Sequence, residues 1–271
     1  MFRGIYSATS AMLVQEKVLD VVGNNLANVD TSGFRSRVAV MQSFPEVLMD
    51  RAERYTVVDE KLREELEDES FAKFRGYTPL GTIPLANVMS ETHMSLRPGV
   101  VRETDNPLDV TIGGEGFFVV EDGLGNTFYT RSGQFQKSPD GQLVTHEGEF
   151  VLGDGGRIEI GEATEILIDE TGQVMADREV IAQLQVVTFE NPTYLRHEKH
   201  SLLSETPDSG TPEAIEAPRV LGGVLERSNV EVVVEMVRMI EANRAYEGAA
   251  RAVTIQDEVG GKLFTSVGKP A

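Results

Sequence analysis

The sequence predicts a mixed α and β fold, in which an all-β body of the sandwich or barrel-like kind is inserted between two terminal, coiled-coil-like helices. Three observations support this fold class. An apolar heptad repeat lies in the first part of the chain, and a broader apolar stripe with helical spacing lies in the last part. Short strand-like segments separated by turn residues fill the region between them.

The first helix is predicted from Ile5 up to a turn that reaches Phe34. Its a and d positions carry small or apolar side chains, with Gln15 as the one polar member: Ile5, Ala8, Met12, Leu19, Val22, Leu26 and Val29. Because so narrow an apolar stripe does not stabilise a lone helix in water, the helix requires a partner. A polar residue such as Gln15 in that interface is expected to fix its register.

An asparagine cluster, Asn24, Asn25 and Asn28, precedes the sequence Thr31-Ser32-Gly33-Phe34. Asparagine is unfavourable inside a helix but tolerates the left-handed conformation at its end, so this region predicts a helix stop and a turn through Thr31, Gly33 and Phe34. Two interpretations of the asparagines stay open. They either cap the helix locally or form hydrogen bonds across a helix interface.

The next segment, residues 35 to 44, either extends the helix or forms an irregular strand before Pro45. Residues 46 to 70 are rich in acidic side chains, which is typical of a solvated helix or loop and is also compatible with a partner-binding insert. From about Asn87 to Phe189, apolar alternation and turn pairs such as Asp140-Gly141 recur about every ten residues, which indicates a β-rich body.

The last helix is predicted from Ser228 to Phe264, with Ser228 and Glu231 as a possible capping box. Its stripe contains Val230, Val233, Val237, Ile240, Tyr246, Ala250 and Val253, and Tyr246 is expected to pack between the terminal helices. The predicted domains are a first helix in 1–44, an acidic insert in 45–86, the β body in 87–226 and a closing helix in 227–271 that pairs with the first helix. We expect the helix or subunit interface to contain Ile5, Met12, Gln15, Leu19, Val22, Asn25, Leu26, Asn28, Val233, Val237, Ile240, Tyr246 and Val253.

Composition restricts the possible functions. A net charge of −19 argues against binding to nucleic acid or to an anionic membrane surface, since both require clustered Lys and Arg. The chain has no apolar run long enough to span a bilayer and no pattern of a cleaved secretory signal at its start.

Few residues are suited to catalysis or metal binding. The chain has no Cys and four His, and His197 and His200 have the wrong spacing for a zinc protease site, so they are interpreted as exposed loop histidines. The Gly-rich segments around Gly114 and Gly155 precede strand-like segments instead of a helix and are interpreted as hairpin turns. We therefore predict no catalytic residue, no cofactor and no metal.

Three groups of motifs resemble the rod and hook axial proteins of the bacterial flagellum. The first is the run from Gly23 to Phe34, followed by Arg35. The last comprises Ser228-Asn229-Val230-Glu231, Glu235-Met236-Val237 and Arg244-Ala245-Tyr246-Glu247. Between them stand three central motifs: Asn106-Pro107-Leu108-Asp109-Val110, Gly114-Glu115-Gly116-Phe117-Phe118-Val119 and Tyr129-Thr130-Arg131-Ser132-Gly133. The resemblance covers most of the chain outside residues 42 to 90.

The resemblance implies a structural subunit of the basal-body rod, distal or proximal, that assembles with its own copies and with other rod and hook axial proteins into a hollow helical shaft. It also implies export by the flagellar type III apparatus without a cleaved signal, and a location in the basal body within the cell envelope. One alternative is a hook or hook-associated protein. A β-rich carbohydrate-acting enzyme and an exported adhesin are alternatives of other classes.

Overall fold

The computed structural model describes residues 2–43, 46–52, 77–84, 87–163 and 165–267. Along the chain, helix α1 (Phe2–Ala27) precedes all the strands and helix α2 (Val232–Val267) follows them. The strands are β1 (Arg37–Ser43), β2 (Glu46–Ala52), β3 (Tyr77–Pro84), β4 (Asn87–Met94), β5 (Val101–Glu103), β6 (Val110–Ile112), β7 (Phe117–Glu121), β8 (Thr127–Thr130), β9 (Phe135–Lys137), β10 (Leu143–Thr145), β11 (Phe150–Gly153), β12 (Gly156–Arg157), β13 (Ile166–Ile168), β14 (Gln173–Ala176), β15 (Glu179–Gln183), β16 (Val186–Thr188), β17 (Arg196–His197), β18 (Leu202–Ser204), β19 (Glu213–Ala214), β20 (Val220–Gly222) and β21 (Val224–Glu226).

The chain divides into two compact units. The terminal unit comprises Met1–Lys17, Val40–Ser90 and Ala242–Ala271, and the body unit comprises Val18–Ala39 and Glu91–Glu241. In the terminal unit β2 pairs antiparallel with β3, from Glu46 opposite Pro84 to Ala52 opposite Tyr77. Also in this unit, Gly4 of α1 lies directly against the side-chain amide of Gln256 on α2.

The body unit contains a large antiparallel sheet with the strand order β17-β18-β8-β7-β11-β10-β9. Three further strands join this sheet, because β12 pairs with β11 and β16 pairs with both β7 and β19. A three-stranded sheet, β13-β14-β15, and the antiparallel pairs β6–β20 and β5–β21 complete the unit. In the β6–β20 and β5–β21 pairs, strands from the end of the body sequence pair with strands from its beginning.

Strand β7 separates two apolar cores. Phe118 and Val120 belong to a cluster with Phe135 and Leu143, all at most 1% exposed. Phe117 and Val119 point to the opposite face, into a second cluster that includes Tyr129. Because successive side chains of a strand alternate between its two faces, a run of four apolar residues is what a strand buried on both sides requires.

The terminal helices and the antiparallel β-rich body predicted from the sequence are confirmed. Within the predicted range 1–44, helix α1 covers Phe2–Ala27. Of the two alternatives for residues 35 to 44, the strand is correct, because β1 covers Arg37–Ser43. The two ends of the acidic range 45–86 form β2 and β3, and residues 53–76 lie outside the described residues.

The predicted start of the last helix is wrong by about one turn. Helix α2 begins at Val232, and the Ser228 hydroxyl accepts a hydrogen bond from the backbone N–H of Val230 at 3.3 Å, in a turn that precedes the helix. The capping box expected at Ser228 and Glu231 is therefore absent from this turn. The side chain of Asn229 instead binds backbone groups outside the helix, among them the N–H of Ser36.

Candidate functional site

A buried carboxylate, Glu226, joins the segments that flank the two helices. It ends β21, a few residues before α2, and its side chain is 4% exposed. Its Oε1 accepts from the guanidinium of Arg35 at 2.7 Å and from the backbone N–H of Gly99 at 2.7 Å, and its Oε2 accepts from Nε of Arg131 at 2.9 Å. We call Arg35, Arg131, Glu226, Gly33 and Asn229 the helix junction, and all of them belong to the body unit.

Arg131 links this carboxylate to the loop before β7. Its guanidinium donates to the carbonyl of Ile112 at 2.9 Å and also to the carbonyls of Gly114 and Gly116. A guanidinium has five N–H donors in a fixed plane, so one side chain can bind a carboxylate and several carbonyls together. The Gly114-Glu115-Gly116 segment is therefore held by Arg131, and its interpretation as a hairpin turn is wrong, because the flanking strands β6 and β7 pair with other strands and not with each other.

Arg35 follows the turn after α1 and is equally buried, with 8% of its side chain exposed. It donates to the carbonyl of Arg97 as well as to Glu226. Burial lowers the pKa of Arg35, the nearby Glu226 carboxylate opposes this shift, and Arg131 adds to it. Two buried guanidinium groups thus depend on one carboxylate for charge compensation.

Two asparagine side chains pair with the backbone around this junction. Asn25, 1% exposed, accepts from the N–H of Arg37 and donates to its carbonyl, each at 2.9 Å. Asn229 accepts from the N–H of Ser36 at 2.7 Å and donates to the carbonyl of Arg97 at 2.8 Å. Asn25 therefore fixes how the chain leaves α1, and Asn229 fixes how it enters α2.

The turn after α1 uses Asn28 and Gly33. The Asn28 side chain donates to the Asn24 carbonyl at 2.8 Å and accepts from the Thr31 hydroxyl at 3.2 Å, which is the local role proposed for the asparagines. Gly33 has a φ of 68° and donates its N–H to the Glu226 carbonyl at 2.8 Å. A Cβ at Gly33 would collide with the backbone of Arg131 and Ser132, so this position requires glycine.

Phe34 completes the turn and is 2% exposed. Its ring packs on the imidazole of His197, with 5.6 Å between ring centroids, and both ring nitrogens of His197 are buried without a hydrogen-bond partner. Burial lowers the pKa of His197 to about 4, and the positive charge of Arg37 contributes to this shift. The interpretation of His197 as an exposed loop residue is wrong, whereas His200 is exposed.

The expected interface residues differ in exposure. On α1, Val22 and Asn25 are buried, whereas Ile5, Met12, Gln15, Leu19, Leu26 and Asn28 are half-buried. On α2, Tyr246 and Val253 are half-buried, but Val233, Val237 and Ile240 are 74%, 49% and 53% exposed. Ala242 and Glu235, which are 4% and 3% exposed, lie on the buried side of α2 and were not among the expected residues.

A groove of about 680 Å³ opens beside the junction, with Leu96, Val101 and Phe117 in its walls. Glu226 lines this groove, but both of its oxygens are engaged by arginines. Among the described residues, no group of three or more His, Cys, Asp or Glu could hold a metal ion. No described helix is both long and apolar enough to cross a membrane.

Three family models match this sequence in chain order. Residues 5–35 match the flagella basal body rod protein model, and residues 111–176 match the flagellar hook protein FlgE/F/G D1 domain. Residues 221–265 match the C-terminal model of the flagellar basal body rod FlgEFG proteins. The first of these models ends at Arg35, and the last begins at Leu221, five residues before Glu226. Arg35 and Glu226 form one of the ion pairs of the helix junction.

Curated relatives match over nearly the full chain. The flagellar basal-body rod protein FlgG of Agrobacterium fabrum is 33% identical over 95% of this chain and 96% of its own length. FlgG of Bacillus subtilis is 32% identical over 96% of this chain and 97% of its own length, and FlgF of Caulobacter vibrioides is 28% identical over 99% of each chain. The chain belongs to the flagellar basal-body rod protein family.

Rod proteins of this family are structural parts of the flagellum, so the prediction of a non-enzymatic structural protein is confirmed. Family membership also implies that the protein assembles with other axial components of the flagellum. For this rod protein the functional site is therefore the set of surfaces and joints that make assembly possible.

The sequence motifs contained the junction without revealing it. Arg35 and Arg131 stood within the motifs quoted for the family resemblance, but Glu226 did not, and no charge partner was assigned to either arginine. A signal existed for Arg131, because it directly follows β8 with its Phe128 and Tyr129, where a charge is buried only with a partner, but no local signal marked Glu226 as that partner.

Proposed function

We propose that this protein is a rod subunit that assembles with its own copies into a hollow helical shaft, which transmits torque and lets exported subunits pass through its lumen. The terminal helices form the inner, coiled-coil-like layer, and the β body, with sandwich or barrel-like packing, lies outside it. The predicted domains 1–44, 45–86, 87–226 and 227–271 are proposed as functional divisions within this arrangement.

The observation that carries the proposal is the exposed apolar side of α2. Val233, Val237 and Ile240 are each about half or more exposed, although their spacing makes them one helix face. Contiguous apolar surface on a soluble chain marks a contact site for another protein. We propose that this side of one copy contacts a different surface of the next copy, because such a contact generates an open helical assembly when the rotation between copies does not close a ring.

The helix junction supports the mechanical part of the proposal. It connects the end of α1 and the start of α2 to the β body through buried ion pairs and backbone hydrogen bonds. Removing one partner of a buried ion pair typically costs about 3–5 kcal/mol, so these joints resist rearrangement. Force applied to the helices is thereby passed to the body unit without a flexible hinge at these positions.

Location and delivery complete the proposal. The rod subunit is exported through the flagellar type III apparatus and occupies the basal body within the cell envelope, next to other rod and hook proteins. Its acidic charge of −19 keeps unassembled copies apart during this passage.

Complementation of a deletion strain tests the proposal. Val233→Asp places a charge on the exposed apolar side of α2, whereas Val180→Asp makes the same change at a 58% exposed position of β15. We expect Val233→Asp to abolish rods and motility, because assembly would bury the new carboxylate, while the monomer stays folded. Val180→Asp is expected to leave motility intact. Normal rods with Val233→Asp, or flagella in the deletion strain, would refute the proposal.

A further inference from the structure

The hairpin that joins β7 and β8 presents an apolar side chain to solvent. Leu124, at its tip, is 89% exposed, more than any other large apolar side chain of the described residues. The Asp122 carboxylate accepts from the backbone N–H groups of Leu124 at 2.8 Å and Asn126 at 2.9 Å, which holds the hairpin end in one conformation. A loop that is ordered before it binds loses little conformational entropy on binding. We call residues 122–126 the β7–β8 tip.

The groove beside the helix junction has apolar walls that are open to solvent. Its volume is about 680 Å³, and its walls include Leu96, Val101 and Phe117. Leu96 and Val101 are 48% and 50% exposed, so the described part of the chain leaves this apolar surface largely uncovered. Sites of roughly 300–1,000 Å³ enclose small molecules, so the groove has room for a leucine side chain and the backbone beside it. Exposed apolar surface of this kind marks a contact site.

Unused hydrogen-bonding groups of the two surfaces match each other. Thr111 lines the groove, and its hydroxyl is buried with no hydrogen-bond partner among the described residues. The backbone N–H of Glu115, also in the groove lining, likewise donates to no described residue. On the tip, the carbonyls of Gly123 and Leu124 accept no hydrogen bond within the described part of the chain. Docking of the tip supplies these donors with acceptors, which matters because a buried polar group without a partner is costly.

Charge favours this groove over most of the surface. The whole chain has 44 acidic and 25 basic residues. Arginines slightly outnumber acidic residues among the lining residues, their immediate neighbours along the chain and the residues paired with or packed on these: Arg35, Arg97, Arg102, Arg131, Arg219 and Arg227 against Asp30, Glu115, Glu190, Glu213 and Glu226. At the tip, hydrogen bonds from Asn126 lower the pKa of Asp122, which is therefore anionic, and Glu121 is paired with Arg157 at 2.6 Å. The groove thus receives an acidic tip without the repulsion expected elsewhere on this chain.

The groove and the β7–β8 tip lie at opposite ends of β7 within the body unit. Phe117, the first residue of the strand, lines the groove, and the tip follows Glu121, the last residue. A strand of five residues spans about 16 Å, so a copy does not place its own tip in its own groove. We propose that the β7–β8 tip of one copy docks in the groove of a neighbouring copy, with Leu124 against Val101 and Phe117.

This inference rests on the proposed function and specifies one contact between the β bodies. A contact between different surfaces at opposite ends of one unit repeats from copy to copy, as a helical assembly requires. A hairpin tip covers far less surface than the roughly 1,200–2,000 Å² of a stable pair. We therefore expect the purified chain to stay monomeric and the tip to fill the groove only in rods, where other contacts hold the two copies together.

The absence of cysteine from the chain allows a cross-linking test in basal bodies. The full-length Leu124→Cys/Val101→Cys variant replaces the wild type in the deletion strain, and isolated basal bodies are oxidised. We expect a ladder of covalent dimers, trimers and longer species, because each copy offers both surfaces, and no ladder from either single variant. The control is Leu124→Cys/Val180→Cys, since Val180 is 58% exposed on β15 and lies outside the groove, and it is expected to give no ladder.

No ladder in the test variant, or an equal ladder in the control, would overturn the inference. Labelling of the single Val101→Cys variant with a maleimide probe identifies the reason. If this cysteine is protected in basal bodies while the test variant gives no ladder, another protein fills the groove and the proposed contact is wrong.

Substitution of Leu124 provides a second readout. Leu124→Asp is expected to reduce the number of assembled rods by about tenfold, because docking would bury the new carboxylate. Leu124→Met keeps an apolar side chain and is expected to assemble normally. Since the position is exposed, the Tm of purified Leu124→Asp is expected to equal that of the wild type. Normal rods with Leu124→Asp would overturn the inference and leave the proposed function standing, whereas absence of the wild-type chain from basal bodies would remove the proposed function itself.

Discussion

Replacing Glu226 with glutamine tests whether the helix junction stabilises the body unit. The carboxylate has two oxygens, and each binds a different arginine, at 2.7 Å for Arg35 and 2.9 Å for Arg131. In Glu226→Gln one of these atoms becomes an NH₂ group, which directs its hydrogens at a guanidinium that also has only donors. The substitution thus keeps the size of the side chain and removes the charge that compensates two buried cations.

The expected loss in the free energy of unfolding is about 3–5 kcal/mol, the usual cost of leaving a buried charge without its partner. A unit of this size loses roughly 2–4 °C in Tm per kcal/mol, so a decrease of about 10 °C is expected. This is a large share of the stability of an ordinary domain, which is about 5–15 kcal/mol.

Urea unfolding and thermal melts of the purified chain, both followed by circular dichroism, measure this effect. Glu103→Gln is the matched control, because Glu103 is exposed and lies in β5, the partner strand of β21. The control is expected to change stability by less than about 0.5 kcal/mol. If Glu226→Gln loses no more than Glu103→Gln, the two buried arginines are compensated in another way and our account of the junction is wrong.

Three further predictions concern a core residue, the histidine beside the turn after α1, and the expected interface on α1. Phe118→Ala, at a fully buried position between two strands, is expected to cost about 3–5 kcal/mol in urea unfolding, and a loss under about 1 kcal/mol would show that the core collapses into the space. Because His197 has a pKa of about 4 in the folded chain and about 6.5 when unfolded, the unfolded state binds more protons between these values, so stability falls as pH decreases through this window. His197→Phe should reduce that pH dependence by about 2–3 kcal/mol between pH 7 and pH 4, which urea titrations of the wild type and the variant at each pH would measure. Leu19→Asp puts a charge at a half-buried position of the expected α1 interface and is expected to block incorporation into basal bodies. The monomer is expected to keep its β signal in circular dichroism. Normal incorporation would contradict a role for Leu19 in the interface.

Periodic patterns in the sequence were sufficient to predict the two helices and the β-rich body, but not β2 and β3 at the ends of the acidic range. The heptad spacing that starts at Ile5 is a local property, and it indicated α1 correctly as far as Ala27, where the helix ends before Val29. Turn residues such as Asp140-Gly141 likewise act over a few positions, since Gly141 adopts a φ of 78° there. The start of α2 was missed because the capping rule applied to Ser228 is local, whereas the neighbouring Asn229 binds the distant Ser36.

The apolar residues of α2 show a different limit of prediction from sequence. A helical stripe shows that Val233, Val237 and Ile240 share a side, but it does not show whether that side faces the same chain or another copy. Their exposure in the structure, with Ala242 buried on the opposite side, shows only that the described part of this chain leaves that side largely uncovered. The assignment of Val233, Val237 and Ile240 to a contact between copies remains a prediction that the assembly experiments test.

The sequence alone determined the order of helix, β-rich body and helix, and the family to which the motifs belong. The tertiary structure decided which distant residues meet. Arg131 and Glu226 are 95 positions apart, and Ser36 and Asn229 are 193 positions apart. The physical reason is that a helix or strand pattern reflects interactions within a few residues, whereas a buried charge pairs with an opposite charge that lies close to it only after folding. No local pattern distinguishes Glu226 among the 44 acidic residues of the chain.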